Sequence, residues 1–225
     1  GGAARPIEHV KKIKDTFKDG FPALGYGLTE TNGVGAGNLN ENYLAKPNST
    51  GMPSRPLVDM AILDDDGKPM ERGKVGEVSI RSVCNFLGYW KDEDATRAAY
   101  SDDAYFRTGD LGYLDRDGFL FITGRAKDVI ISGGTNIYPR EVEECLQLHT
   151  AVQEAAVVGV EEADGLTKPH AFVVVKEGAG GSTLVEELQA FVREHLDAYK
   201  YPRQVFFLED LPRTHLGKIA RGKLR

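Results

Sequence analysis

Two acidic turns that end in glycine, Asp64-Asp65-Asp66-Gly67 and Asp115-Arg116-Asp117-Gly118, constrain the fold of this chain more than any other feature. Each lies between runs that alternate apolar and polar residues. Leu57 to Leu63 leads into the first and Val75 to Arg81 leaves it; Leu111 to Leu114 leads into the second and Phe119 to Thr123 leaves it. A period of two buries one face of a strand, and an Asp-Gly turn reverses the chain so that the two strands pair. Residues 47–125 are therefore expected to form a β-rich, barrel-like subdomain. Neither turn has the twelve-residue ligand spacing and closing Glu of a calcium loop.

The flanks have a different texture. Ile7, Val10, Ile13 and Phe17 recur at helical spacing after Pro6, which predicts a helix over 6–18. Gly1 to Ala4 reads as the end of a strand entering that helix, and Phe21 to Leu24 as a short buried strand. Such a βα piece, residues 1–46, needs parallel neighbours that the chain supplies too sparsely, so residues 1–125 are expected to be the end of a large N-terminal domain. Beyond Gly124, Val129 to Ser132 is extended and Pro139 opens a helix to about His149. Strands at Ala155 to Val160 and His170 to Lys176, a helix from Thr183 to Leu196 and a strand at Val205 to Leu208 follow. The expected fold class is mixed α/β, with a small α+β C-terminal domain over 126–225 and a boundary near Arg125 to Lys127.

Composition excludes several function classes. With 225 residues, 41% hydrophobic and 28% charged, the chain is an ordinary globular protein of one or two domains. A net charge of -6 with no basic block argues against nucleic-acid binding. No run approaches the roughly 20 apolar residues of a membrane span. Cys84 and Cys145 stand alone, which suits a reducing cytoplasm better than a disulfide or zinc framework. His9, His149, His170, His195 and His215 show no metal spacing. Oligomeric state stays open.

Four segments carry candidate chemistry: Tyr26-Gly27-Leu28-Thr29-Glu30, Tyr105-Phe106-Arg107-Thr108-Gly109-Asp110-Leu111, Gly124-Arg125-Ala126-Lys127-Asp128-Val129-Ile130-Ile131-Ser132-Gly133-Gly134, and Pro212-Arg213-Thr214-His215-Leu216-Gly217-Lys218-Ile219-Ala220-Arg221. Tyr26 can stack on a purine, Thr29 can donate to a phosphate oxygen, and Glu30 offers Mg²⁺ a hard oxygen. Asp110, read as lying at a strand end, can accept from both ribose hydroxyls. Lys218, beside a flexible Gly217, can neutralise two anions that must meet. Gly133 and Gly134 let backbone pass close to a ligand, with Asn136, Tyr138 and Glu143 around that loop.

In composition and order these segments resemble the adenylate-forming superfamily, which includes acyl- and aryl-coenzyme A synthetases, adenylation domains of peptide synthetases and beetle luciferase. The resemblance covers nearly the whole chain and places it in the C-terminal part of such an enzyme. It implies an AMP-forming carboxylic acid-coenzyme A ligase that uses ATP, Mg²⁺ and coenzyme A. Gly2, Ala3, Tyr26, Gly27 and Ile122 then match the nucleotide pocket, Thr29 and Glu30 the phosphates and metal, Asp110 and Arg125 the ribose, and Lys218 the adenylation lysine. Gly133 and Gly134 match the segment lining the pantetheine tunnel, and Lys127 the hinge of the small domain. The superfamily's Ser/Thr-Gly-rich phosphate loop is absent and would lie upstream of Gly1. No Gly-x-x-x-x-Gly-Lys-Ser/Thr loop occurs, and Gly25-Tyr26-Gly27-Leu28-Thr29-Glu30 fails the last position of Gly-x-Gly-x-x-Gly. Gly165 to Val174 and Tyr199 to Arg203 resemble aryl-acid synthetases, whereas Tyr26 to Asn32 and Leu44 to Gly51 resemble fatty-acid synthetases, so the acid stays open. A carrier-protein acceptor, or a noncatalytic nucleotide- or pantetheine-binding fragment, are the alternatives.

Overall fold

A computed structural model describes residues 7–17, 20–215 and 217–225. The chain divides into two compact units, Gly1–Ala126 and Lys127–Arg225. Its mixture of helix and strand agrees with the α/β class expected from sequence.

The first unit opens with helix α1, Ile7–Thr16, whose Val10 is fully buried. Strand β1, Ala23–Tyr26, then pairs with β2, Ala36–Leu39, from Ala23 opposite Leu39 to Tyr26 opposite Ala36. This corrects the expectation of a buried strand among parallel neighbours: the pairing is antiparallel, and Ala23 and Gly25 are exposed. The cause is the connecting loop, which folds back on itself through Gly33 N donating to Leu28 O at 2.8 Å. A Cβ at Gly27 would lie 2.3 Å from Gly33 O, so only glycine closes it. Helix α2, Asn40–Ala45, follows with a buried Tyr43, and β3, Met52–Pro53, completes a three-stranded sheet against β2.

Strands β4 (Val58–Leu63) and β5 (Gly76–Ser82) pair antiparallel, with Met60 opposite Ile80 and Ile62 opposite Val78. After the short helix α3, Glu93–Ala98, strands β6 (Phe106–Leu114) and β7 (Leu120–Arg125) extend the sheet in the order β4-β5-β6-β7. Val58, Met60, Ile62, Val78, Ile80 and Leu120 form its core, so period-two alternation fixes which face is buried. The first aspartate of each acidic turn acts on its own backbone. Asp64 Oδ1 accepts from Lys68 N at 2.8 Å, and Asp115 Oδ1 accepts from Phe119 N at 2.8 Å.

In the second unit, β8 (Ile130–Ser132) and β9 (Thr135–Ile137) form a hairpin. Helix α4, Pro139–Gln147, starts with its proline in the first turn, where the missing N–H costs nothing. Strands β10 (Val152–Glu161) and β11 (Thr167–Val175) pair antiparallel. Helix α5, Leu184–His195, precedes β12, Gln204–Phe207, which runs parallel to β11. Leu184, Leu188 and Val192 recur every four residues on α5 and pack with Val142 and Leu146 of α4 against Val157, Ala171 and Val173. The opposite sheet face, Ala156, Val158 and Val174, is covered by Leu211 and Leu224 of the C-terminal segment.

Leu188 has no exposed surface, so Leu188→Ala removes buried contacts and leaves a cavity, with an expected cost of about 2–5 kcal/mol. Hydrogen exchange should accelerate at the β10 and β11 amides; unchanged protection there would show that α5 does not hold this sheet. Among the described residues, no helix is long and apolar enough to cross a membrane.

Candidate nucleotide site

In the first unit the site grows from β6. Along this strand burial alternates, so Phe106, Thr108 and Asp110 face inward. Thr108 Oγ1 donates to Val78 O at 2.6 Å and accepts from Asp110 N at 3.1 Å. Glu77 receives Gly109 N at 3.0 Å and Arg107 Nε at 2.7 Å. Gly109 has φ +70, and the β5–β6 register slips beside it. Such a bulge re-aims the residues that follow. Asp110 thus lies within β6, not at a strand end as expected from sequence, because the bulge interrupts the ladder without terminating it.

Asp110 is buried, and its carboxylate is held from two sides. Tyr26 Oη donates to Oδ2 at 2.7 Å, and Arg125 Nε pairs with Oδ1 at 2.7 Å. Arg125 stands directly opposite Asp110 in the β6–β7 register, and its Nη1 donates to Thr108 O at 3.2 Å. Burial, and then the negative charge of Asp110, raise the Tyr26 phenol well above its ordinary value. Tyr26 therefore remains a neutral hydrogen-bond donor. Three sequence-predicted residues, drawn from β1, β6 and β7, converge in one cluster.

Thr29 and Glu30 sit on the loop from β1 to β2. Thr31, fully buried, locks the loop by donating to Leu28 O at 3.1 Å and accepting from Leu28 N at 3.0 Å. This leaves Thr29 exposed and Glu30 half-buried. Glu30 O accepts from Phe86 N at 2.7 Å, and its Oε1 accepts from Tyr89 Oη at 3.1 Å. Burial and the Glu30 carboxylate together raise the Tyr89 phenol. Among the described residues no cluster of three His, Cys, Asp or Glu could hold a metal. One hard carboxylate beside one hydroxyl fits Mg²⁺ that keeps water and substrate phosphate as its other ligands.

Ile122 lies on β7, half-buried against the sheet core. Gly2 and Ala3 lie outside the described residues. Cys84 is partly exposed and Cys145 buried, both as free thiols.

In the second unit, Gly133 and Gly134 form the two-residue turn of the β8–β9 hairpin, with φ +56 and +83. Two successive positive φ values demand glycine or a small polar residue. A Cβ at either position would meet nothing within 4 Å, so conformation, not a close approach within this unit, requires them. Lys127 is exposed in the single 3-10 turn Ala126–Asp128.

Lys218 is exposed on a tight hairpin. Thr214 N donates to Lys218 O at 2.7 Å, Gly217 N donates to Thr214 O at 2.9 Å, and Gly217 takes φ +77. Glu143, expected beside the glycine loop, is instead committed to the protein interior. Its carboxylate pairs with the Arg221 guanidinium, with Oε2 3.0 Å from Nη2, while Oε1 accepts from Val157 N at 2.7 Å. Burial opposes the Arg221 charge, yet the hydrogen bond and charge of Glu143, with Asp128 nearby, hold its guanidinium above the usual arginine value. Glu77 lies outside the candidate segments, and Thr108 and Arg221 lie inside them without an assigned role; the place of Arg221 in the segment that carries Lys218, three positions after it, is the signal for the last.

Residues 1–90 match the AMP-binding enzyme family, and residues 141–218 match the AMP-binding enzyme C-terminal domain. The chain belongs to the adenylate-forming superfamily defined by these two parts. It is 42% identical over 227 residues to the long-chain-fatty-acid–CoA ligase of Bacillus subtilis (strain 168), covering 100% of this chain and 39% of that protein. The amide bond synthetase McbA from Marinactinospora thermotolerans shares 36% identity with a TM-score of 0.90, over 100% of this chain and 45% of that one. The o-succinylbenzoate CoA synthetase MenE from Bacillus subtilis, solved with the acyl-adenylate intermediate OSB-AMP, shares 35% identity with a TM-score of 0.88, over 100% and 45%. The chain thus spans less than half the length of these relatives.

Proposed function

We propose that this chain supplies the nucleotide-contacting and lysine-bearing part of an AMP-forming carboxylic acid-coenzyme A ligase. The observation that carries this is the convergence of Tyr26 and Arg125 on the buried Asp110 carboxylate, inside a chain matched by both parts of the AMP-binding family.

In the first half-reaction a carboxylate oxygen attacks the α-phosphorus of ATP. The new P–O bond forms as the bond to pyrophosphate breaks, leaving acyl-adenylate. Asp110 accepts from the ribose hydroxyls, Arg125 faces ribose and phosphate, and the Tyr26 ring borders the base. Thr29 donates to a phosphate oxygen and Glu30 offers its carboxylate to Mg²⁺, which, when bound, neutralises phosphate charge. Lys218 offsets repulsion between the attacking carboxylate and the phosphate. In the second half-reaction the coenzyme A sulfur attacks the acyl carbon and AMP leaves, with the Gly133-Gly134 turn beside the pantetheine arm. Two free thiols suit a cytoplasmic setting.

Acid-dependent ATP–pyrophosphate exchange and thioester formation by the full-length protein test this proposal directly. Asp110→Ala should raise the KM for ATP by at least about 10-fold, the scale for stripping a charged partner from a ligand hydroxyl pair. An unchanged KM would remove Asp110 from the ribose. The 225-residue chain alone should show no exchange with any acid, since it carries no phosphate loop; exchange by a preparation free of other ligases would contradict this. Supplying coenzyme A and simple amines in parallel distinguishes a thiol acceptor from an amine.

A further inference from the structure

The Lys218 hairpin is pinned on both sides. Before it, Arg213 Nη2 meets Glu154 Oε2 of β10 at 2.5 Å, and Arg213 Nη1 donates to Gly217 O at 3.2 Å. After it, Arg221 enters the interior. Its fork engages both oxygens of Glu143, its Nη1 donates to Val157 O at 2.9 Å, and its Nε lies 3.7 Å from Asp128 Oδ2. Arg221 is thus shared among Asp128 at the end of the 3-10 turn, Glu143 of helix α4 and Val157 of strand β10.

Packing does not require this arrangement. Ile219 and Leu224 already attach the segment to the sheet through Val158 and Val174, and a buried ion pair is a weak source of net stability compared with apolar residues of similar size. A planar, bidentate guanidinium does supply fixed geometry. Arg221 stands three positions after Lys218, a reach of at most about 11 Å, so a shift at one is passed to the other.

We propose that Arg221 is a positioning residue: its contacts with Glu143 and Asp128 set where the Lys218 hairpin stands relative to the start of the second unit. This rests on the assignment of Lys218 to adenylation. Arg221 itself touches no substrate.

The test uses the full-length protein and four forms: Lys218→Ala, Arg221→Lys, Glu143→Gln, and Lys218→Ala combined with Arg221→Lys. Arg221→Lys keeps the charge but loses the fork, and Glu143→Gln keeps an acceptor for Val157 N. Each is expected to lower kcat for acyl-adenylate formation by roughly 10-fold or more, as small misplacements of a reacting group do. The KM for ATP, and thioester formation from preformed acyl-adenylate, should stay within about 2-fold. In the Lys218→Ala background, Arg221→Lys should cost less than about 2-fold more, because its only route of action is gone. Equal losses in both half-reactions, multiplying losses in the double variant, or full activity in both Arg221→Lys and Glu143→Gln would overturn the proposal. Unimpaired adenylation in Lys218→Ala alone would instead sink the lysine assignment.

Discussion

In the full-length protein, Lys218→Ala should slow acyl-adenylate formation by at least about 10²-fold, the scale for removing one preorganised charge or donor from a transition state. Thioester formation from preformed acyl-adenylate should continue near the unsubstituted rate. The asymmetry follows from charge. Adenylation presses a carboxylate against a polyphosphate, and a compact ammonium can serve both anions as the new bond forms. Once acyl-adenylate exists, the remaining step joins a sulfur nucleophile to an acyl carbon, and that meeting of anions is over. Lys218 is exposed and its hairpin is closed by backbone hydrogen bonds. Its substitution should therefore alter stability by no more than about 0.5 kcal/mol, and a loss of rate cannot be blamed on unfolding. Pyrophosphate exchange reads the first step, and coenzyme A with synthetic acyl-adenylate reads the second. Equal losses in both would remove Lys218 from its assigned role.

The strands that proved legible are those whose burial alternates cleanly. Val58, Met60 and Ile62 announce β4 because every second side chain enters the core, and the Asp-Gly turns announce the reversals because aspartate can bond its own backbone. Helix α5 is readable for the same reason at period 3.6. The elements missed have no such signal. Helix α3 buries no residue at all and is started by Asp92 accepting from Ala95 N, so no apolar periodicity marks it. Strand β2 reads Ala36-Gly37-Asn38-Leu39, a poor strand by propensity. Its Asn38 is buried because its amide satisfies the carbonyls of Lys46 and Ser49, a tertiary reason invisible in four residues. Antiparallel return of β1 depends on the Gly27–Gly33 approach, which no local pattern encodes.

Candidate residues could be named singly from the sequence, but their partnerships could not. Tyr26 and Asp110 are 84 positions apart, and only the packed sheets show that one donates to the other. Glu143 and Arg221 are 78 apart, so Glu143 looked like a loop neighbour of Gly134 when it is in fact bound to the C-terminal segment. The bulge at Gly109 likewise follows from Glu77 capturing a backbone N–H across strands, which turned a presumed strand end into a strand interior. Residue chemistry is local; burial and pairing are global, and the electrostatics of Asp110 belong to the second kind.

The second large effect concerns the junction. The chain divides between Ala126 and Lys127, inside a single 3-10 turn. We propose this turn as the pivot for a rearrangement between the two half-reactions. A proline at 127 fixes φ there and narrows the conformations open to residue 126. Lys127→Pro should then slow thioester formation on the order of 10²-fold, the cost of presenting a reacting group out of place, while acyl-adenylate formation falls much less. The lysine side chain is exposed and not itself required, so Lys127→Ala should behave nearly as the unsubstituted protein. This contrast separates backbone restriction from loss of a charge. Single-turnover formation of acyl-adenylate, followed by addition of coenzyme A, measures the two rates in one preparation. A Lys127→Pro protein that forms thioester from preformed acyl-adenylate at the unsubstituted rate would show that the chain bends elsewhere, and equal slowing of both steps would show that the turn holds structure without serving as a pivot.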